Sequence, residues 1–257
     1  MEALPIHSLY TDPGRAASRA LCGRDIAGAA PIDHSLPAGT SLTLTPDGAY
    51  HILILIEGEA VFTTAGQAYA WTEHAVFIPA PDADCRVEAK TAVHLLEIRW
   101  QIREGDAEMA REYGTVFPYQ VSYARSRQYR DPYKSDKTIS RVMVEQRTIP
   151  RFAMGSVESW GPDFVLSHAH PSLDQFFVSF PENDMFVLID YEPFRMRGNE
   201  MLHIPLGSMH GVDVTEKKHL HYLWIDFMVS DDSLHQLDTL HKNTDTMRAF
   251  DEKGEEA

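Results

Sequence analysis

The segment Ser167-His-Ala-His170 sets two imidazoles two residues apart. On a strand that spacing puts both on one face, so both can reach a single ion. The spacing alone is weak. Thirteen histidines over 257 residues give about 0.65 such pairs by chance, and His219 with His221 is a second pair. Specificity comes from the residues downstream: a polar side chain at Gln175, then Pro205-Leu-Gly-Ser-Met-His210, which brings in a third histidine. Imidazole suits transition metals such as zinc, iron and nickel, so the constellation reads as a candidate metal site.

Together these residues resemble the two motifs of the cupin superfamily. The first is His-x-His, three or four residues, then usually Glu; the second is Pro-x-Gly-x-x-His. Here they read His168-Ala-His170-Pro-Ser-Leu-Asp174-Gln175 and Pro205-Leu-Gly207-Ser-Met-His210, with Gly198 near the glycine that usually opens the second. The resemblance implies an all-β chain of two tandem cupin barrels, each a jelly roll, over about residues 35–100 and 150–228. It also implies one divalent transition metal (iron, manganese, zinc or nickel) in the C-terminal barrel. His168, His170 and His210 match the ligand histidines. The position that usually holds glutamate falls on Gln175 with four intervening residues, or on Asp174 with three. Gln175 is preferred, because four is the commoner gap and a glutamine-bearing branch occurs among sugar-acid and prephenate-pathway isomerases.

Three neutral imidazoles and a neutral amide leave an ion its full charge, which makes it a stronger Lewis acid than a carboxylate-ligated one. The implied function is a metal-dependent enzyme of isomerase or lyase type, acting on a small oxygen-rich metabolite, carboxylated or sugar-derived. An Fe(II) dioxygenase using the same histidines and a non-catalytic metabolite-binding module are the alternatives, since one fold hosts many chemistries. For proton transfer the nearest carboxylates are Glu158, entering the second barrel, and Asp226, on its last strand; Tyr222 and Trp224 are candidate pocket walls. The other histidines read as structural: His94 and His221 on equivalent strands, His219 facing the opposite way from His221 or at the strand start, His203 on a strand near the site, and His235 and His241 exposed.

Short strands must position these residues. Segments such as His51 to Phe62, Val93 to Trp100, Phe176 to Phe180, Met201 to Pro205 and His219 to Phe227 are rich in β-branched and aromatic residues between turn signals. Helical periodicity is confined to 106–113 and 231–241. The halves repeat: Glu73-His-Ala-Val-Phe-Ile-Pro79 parallels Glu200-Met-Leu-His-Ile-Pro205, and His94-Leu-Leu-Glu-Ile-Arg-Trp100 parallels His221-Tyr-Leu-Trp-Ile-Asp-Phe227. The N-terminal copy lacks the ligands, with Ser41-Leu-Thr-Leu-Thr-Pro46 where His-x-His belongs. His51 and Cys85 would make a two-ligand remnant, too few for a stable site, so packing or dimerisation is the expected role of that half. The domains expected are residues 1–120, a connector at 121–150, the metal-binding barrel at 151–230 and an acidic segment at 231–257, mobile after Leu240. Arg125 to Arg151 carries eight basic and three acidic residues. It reads as a solvated connector, or more sharply as a cationic rim for an anionic substrate.

With 38 acidic against 23 basic residues the net charge is −15, which excludes a generally basic nucleic-acid binder. No run of 18 apolar residues would span a membrane. Met-Glu-Ala-Leu-Pro-Ile-His is neither basic nor apolar enough for an export signal, and two cysteines make no disulfide framework. The expectation is a cytoplasmic protein with a small-molecule substrate and no nucleic-acid or membrane partner, a homodimer through edge-strand pairing.

Overall fold

The computed structural model describes residues 6–22, 25–230, 232–240 and 245–248. The chain divides into two units, Leu9–Ala124 and Met1–Ser8 with Arg125–Ala257. Helix is limited to α1 (Asp106–Tyr113) and α2 (Asp232–Leu240) among the described residues. No helix among them is long and apolar enough to cross a membrane. The regular structure is otherwise antiparallel strand, joined by turns and loops.

After β1 (Ile6–Ser8), which belongs to the second unit, the first unit runs β2 (Ala17–Ala20), β3 (Ala29–Leu36), β4 (Ser41–Leu44), β5 (Ala49–Glu57) and β6 (Ala60–Thr64). It continues with β7 (Gln67–Trp71), β8 (Ala75–Ile78), β9 (Cys85–Ala89), β10 (Val93–Gln101) and β11 (Tyr119–Ser122). These form a six-stranded sheet, β11-β8-β5-β10-β3-β2, and a four-stranded sheet, β4-β9-β6-β7. Alternation aims Leu36, Leu53, Leu55, Phe77 and Leu95 from the first sheet at Leu44, Phe62, Cys85 and Val87 from the second, and this is the unit's core.

The second unit adds β12 (Arg127–Arg130), β13 (Ile139–Ile149), β14 (Phe152–Trp160), β15 (Asp163–Ala169), β16 (Leu173–Ser179) and β17 (Asp184–Ile189). It ends with β18 (Glu192–Arg197), β19 (Glu200–Ile204), β20 (Met209–Val214), β21 (His219–Met228) and β22 (Asp245–Arg248). The sheets are β1-β19-β16-β21-β14-β13-β12-β22 and β15-β20-β17-β18. Val157, Phe177, Leu202, Leu220 and Tyr222 of the larger sheet pack against Val165, Met185, Val187, Met196 and Val212 of the smaller. The run β19-β16-β21-β14 repeats β8-β5-β10-β3, and β15-β20-β17-β18 repeats β4-β9-β6-β7, so the sequence repeat is a repeat of topology.

Three boundaries differ from those read in the sequence. Residues 1–8, read with the first domain, belong to the second unit, where β1 pairs with β19. Residues 121–150 are not simply a connector: β12 and β13 are strands of the second unit's larger sheet, paired with each other, and β13 with β14. Charged residues alternating with buried Tyr129, Met143 and Val144 make a half-buried strand look like a solvated link. Beyond Leu240, β22 pairs with β12; the remainder of the acidic segment, including His241, lies outside the described residues.

The first unit's interior holds a polar network in place of a metal site. His34 and His51 share the face of Leu36 and Leu53, and Glu97 shares that of Leu95. The Glu97 carboxylate joins His34 Nε2 at 2.7 Å and His51 Nδ1 at 2.6 Å, with all three residues buried. Ser18 Oγ lies 2.7 Å from His34 Nδ1, and Asp47 lies 3.3 Å from His51 Nε2. The two-ligand remnant is therefore not formed as a pair: His51 serves Glu97, and burial pushes the core thiol of Cys85 up to about 12. In the second unit His168 stands opposite His210; here Leu44 stands opposite Cys85.

This network gives the unit a pH signature. Burial opposes ionisation of both partners, yet the hydrogen bonds from His34 and His51 hold Glu97 at about 2, against an ordinary 4.5. Burial likewise lowers His51, but Glu97 outweighs it and the imidazole is raised above its ordinary 6.5. A depressed acid contributes stability above its unfolded value and loses it as pH falls towards 2. A raised base contributes below its unfolded value and loses it as pH rises past its folded value. Stability from this network is thus expected to be greatest between about 4.5 and 6.5, measured as the midpoint of the first unit's urea transition across pH.

Candidate metal centre

β15 carries His168 at its end and β20 carries His210 at its start, and the two are register partners. Strict alternation from buried Val165 would turn His168 outward. A register shift between Val165 and His168 reverses that parity. Gly211 makes the approach feasible, since a Cβ there would lie 2.6 Å from Ser167 Oγ and 2.8 Å from Val165 O. His170 lies on the turn that leads into β16, and its carbonyl accepts from Gly207 N at 3.2 Å. Gly207 sits at φ +76°, a left-handed conformation that glycine adopts without strain. Ser208 closes the same turn by donating from N and Oγ to Pro205 O.

The three rings converge, with centroids 4.8 Å apart for His168 and His170, 4.9 Å for His168 and His210, and 5.2 Å for His170 and His210. One ligand nitrogen from each lies within 4.8 Å of the others. His170 and His210 are buried; His168 is half-buried, stacked on Tyr133 at 4.4 Å. His168 Nδ1 donates to Leu166 O at 2.7 Å and His210 Nδ1 to Ser208 O at 3.2 Å. A carbonyl only accepts, so both Nδ1 atoms carry the proton, and Nε2 is the atom that each ring can offer to an ion. That backbone support is characteristic of metal-binding histidines.

Gln175 and Asp226 are register partners on β16 and β21, and Gln175 Nε2 donates to Asp226 Oδ1 at 2.7 Å. A carboxylate accepts only, so it fixes which way the amide points and leaves Gln175 Oε1 as a buried acceptor without a hydrogen-bond partner. Such an orphan is costly unless something binds it. Three imidazole nitrogens and an amide oxygen are a donor set that fits a divalent transition ion. Asp174 points the other way and accepts from His203 Nε2 at 2.8 Å.

The four residues line a cavity of about 350 Å³. Its further walls include Tyr129, Asp131, Lys134, Tyr222, Trp224 and Asp226. Burial lowers the Lys134 ammonium, and Asp131 and Asp226 oppose that fall. Its contacts are loose: Asp131 at 3.9 Å, Tyr129 Oη at 3.5 Å and the face of the Tyr129 ring at 5.1 Å. Burial, then Asp131 and Asp226, push both Tyr129 and Tyr222 upward, so both phenols stay protonated at neutral pH. Trp224 Nε1 is a second buried atom without a hydrogen-bond partner.

Of the two carboxylates proposed from sequence for proton transfer, Asp226 lines the cavity and Glu158 does not. Val157 faces the core, so alternation sends Glu158 to the opposite face, where Arg141 Nη1 donates to it at 2.9 Å. Lys134, Tyr129 and Asp131 escape sequence reasoning. They lie in the stretch that reads as a connector, and only its local excess of positive charge hints at them.

Trp224 lies over Gly155, where a Cβ would sit 2.4 Å from its ring and 2.1 Å from Arg141 O. Gly155→Ala is therefore expected to destabilise the second unit by about 1–3 kcal/mol through overpacking, read by urea denaturation, and to displace the indole from the cavity wall.

No protein-family profile matches the sequence, and no curated protein matches it. Solved structures do. A cupin 2 conserved barrel domain protein from Leptotrichia buccalis superposes with TM-score 0.62 at 14% identity, over 90% of this chain and 98% of that one. Oxalate decarboxylase from Lactobacillus farciminis, solved as a formate complex, gives TM-score 0.67 at 11% identity, over 90% and 87%. An IolB-like protein from Salmonella typhimurium gives 0.67 at 13% identity, over 89% and 93%. At such identities the likeness is one of fold, and it agrees with the paired antiparallel sheets and with the histidine spacing: the chain has the all-β cupin fold.

Proposed function

We propose that the second unit is a metal-dependent enzyme of isomerase or lyase type acting on a small, oxygen-rich monocarboxylate. The observation that carries this reading is the convergence of buried His170 and His210 and half-buried His168 with the unpartnered Gln175 Oε1 on one cavity. These four residues would hold the ion. When bound, a divalent ion supplies Lewis acidity towards a carbonyl or enolate oxygen.

Charge bounds the substrate. Arg127 pairs with Glu145 and Asp238 with Arg147, which leaves Lys134, Asp131 and Asp226 on the cavity wall. Their net charge is one negative; a divalent ion makes it one positive, and that favours a monoanion. Lys134 Nζ, loosely held, pairs with the carboxylate and is the residue placed to move a proton. Asp226 acts as a positioning residue through Gln175, while Tyr222 and Trp224 exclude water from the wall.

The test is to incubate metal-loaded protein in D₂O with a panel of small hydroxy- and oxo-monocarboxylates and to follow each by NMR and by oxygen electrode. Deuterium entering a substrate carbon without oxygen consumption supports the proposal. Turnover matched by oxygen uptake overturns it in favour of a dioxygenase, and binding without conversion overturns it in favour of a binding module.

Gln175→Glu sharpens the role of the amide. The new carboxylate would face Asp226 where the amide now bonds at 2.7 Å, and like charges so close raise one of the two pKa values. A carboxyl raised in the folded state destabilises it at neutral pH and less so as pH falls. The metal-free variant is expected to lose about 1–3 kcal/mol at pH 7 and to recover at pH 5, whereas the metal-loaded variant keeps its ion. Thermal melts at the two pH values read this.

A further inference from the structure

A second cluster of metal-type ligands lies on the opposite face of the larger sheet of the second unit. Alternation along β21 sends Leu220 and Tyr222 into the core and His219 and His221 outward. Glu158 is the register partner of His221 on β14. Glu182 reaches the same spot from the turn between β16 and β17. We propose that Glu158, His219 and His221 form a divalent transition-metal site separate from the cavity histidines, with Glu182 as the outer carboxylate that orients His221.

Geometry and support both point there. One ligand atom each from Glu158, His219 and His221 lies within 4.8 Å of the others. Glu158 Oε1 is 3.4 Å from His219 Nε2, and Glu182 Oε1 is 3.8 Å from His219 Nδ1 and hydrogen-bonded to His221 Nδ1. Ligand atoms around a tetrahedral ion with bonds of about 2.0–2.2 Å are separated by about 3.3–3.6 Å. Glu182 holds His221 Nδ1 from outside, the carboxylate–imidazole support that orients a metal-binding histidine. His219 Nε2 is buried and makes no hydrogen bond.

The ligands are also held in place. Trp160 stacks on His219 at 4.6 Å and Phe180 on His221 at 4.1 Å. Arg141 grips the second oxygen of Glu158, the outer-sphere contact that orients a ligating carboxylate. The turn that bears Glu182 is tied to β21 twice: Phe180 N donates to His221 O at 3.1 Å, and His221 N donates to Asn183 Oδ1 at 2.8 Å. Two imidazoles and a carboxylate favour zinc-like ions over magnesium or calcium, and with Glu182 outside them the combined charge neutralises a divalent ion. A bound ion would clamp β14 to β21 and, through Glu182, to the turn.

The experiment uses the whole chain, stripped with chelator, dialysed against micromolar zinc and analysed for zinc per protein. Two equivalents are expected in the wild type, one in His219→Gln, one in His210→Ala, and none in the double variant. Should His219→Gln fail to fold, Glu182→Gln, altered at a half-exposed position, is expected to bind its outer zinc at least tenfold more weakly. One equivalent in the wild type that persists in His210→Ala and disappears in His219→Gln supports this site while removing the cavity site. Zinc that disappears entirely in His210→Ala, or is undiminished in both His219→Gln and Glu182→Gln, overturns the proposal.

Discussion

Replacing His210 with alanine is expected to weaken metal binding by at least about 100-fold, since losing a mere outer-sphere partner of a ligand already costs about 10–100-fold. Turnover should fall with it. His210 is the candidate ligand on β20, buried and backbone-braced through Ser208 O; without it the remaining His168 and His170 come from one short stretch of chain. Elemental analysis of the cavity site, made in a His219→Gln background so that the outer cluster is silent, reads the loss. Cys85→Ala is the control: it lies in the other unit's core and is expected to leave the stoichiometry unchanged. Full metal in His210→Ala on that background would place the site elsewhere.

Glu97→Ala is expected to destabilise the first unit by about 3–5 kcal/mol, the usual consequence of removing one partner from a buried ion pair. His34 and His51 would each lose a bond of 2.7 Å or less at buried positions. The same variant should flatten the pH dependence of that unit, because the depressed carboxyl is gone and Asp47 alone is left to raise His51. Urea denaturation at pH 5.5 and 8 checks both effects, and a loss under 1 kcal/mol would show that the network contributes little. The Glu97→Gln variant keeps the shape and removes the charge, separating packing from electrostatics.

The cavity histidines are legible in the sequence because their geometry is nearly local. A two-residue spacing and a glycine that must take positive φ each imply a chain direction without knowledge of the rest. Gln175 is preferred to Asp174 in the sequence on the four-residue gap that the resemblance implies; in the structure it shares the inward face of Phe177. Glu158 is misplaced when closeness in sequence to the second barrel is weighed above alternation with Val157. The wall formed by Tyr129, Asp131 and Lys134 is illegible for a different reason. Lys134 reaches the cavity from a turn whose only ladder contact is an isolated bridge to Val165, a long-range pairing that leaves no periodic trace. The length of β13 is hidden too: its ladder is interrupted between Val142 and Val144 and again before Ile149, and each interruption resets the pattern on which strand reading depends.

β1 has a consequence for the order in which the molecule can be made. Ile6 lies opposite Leu202 and Ser8 opposite Glu200, so the strand that finishes one margin of the larger sheet of the second unit is translated before any of that sheet's other members. A growing chain emerges at about 5–20 residues per second, so residues 6–8 must wait on the order of ten seconds or more for their partner, through the entire synthesis of the first unit. That unit, by contrast, contains all its own partners and can close as it emerges. Contacts of such separation slow folding, which makes docking of β1 a late event in the maturation of the second unit. Anything that occupies residues 6–8 during translation would therefore be felt by a sheet not yet synthesised.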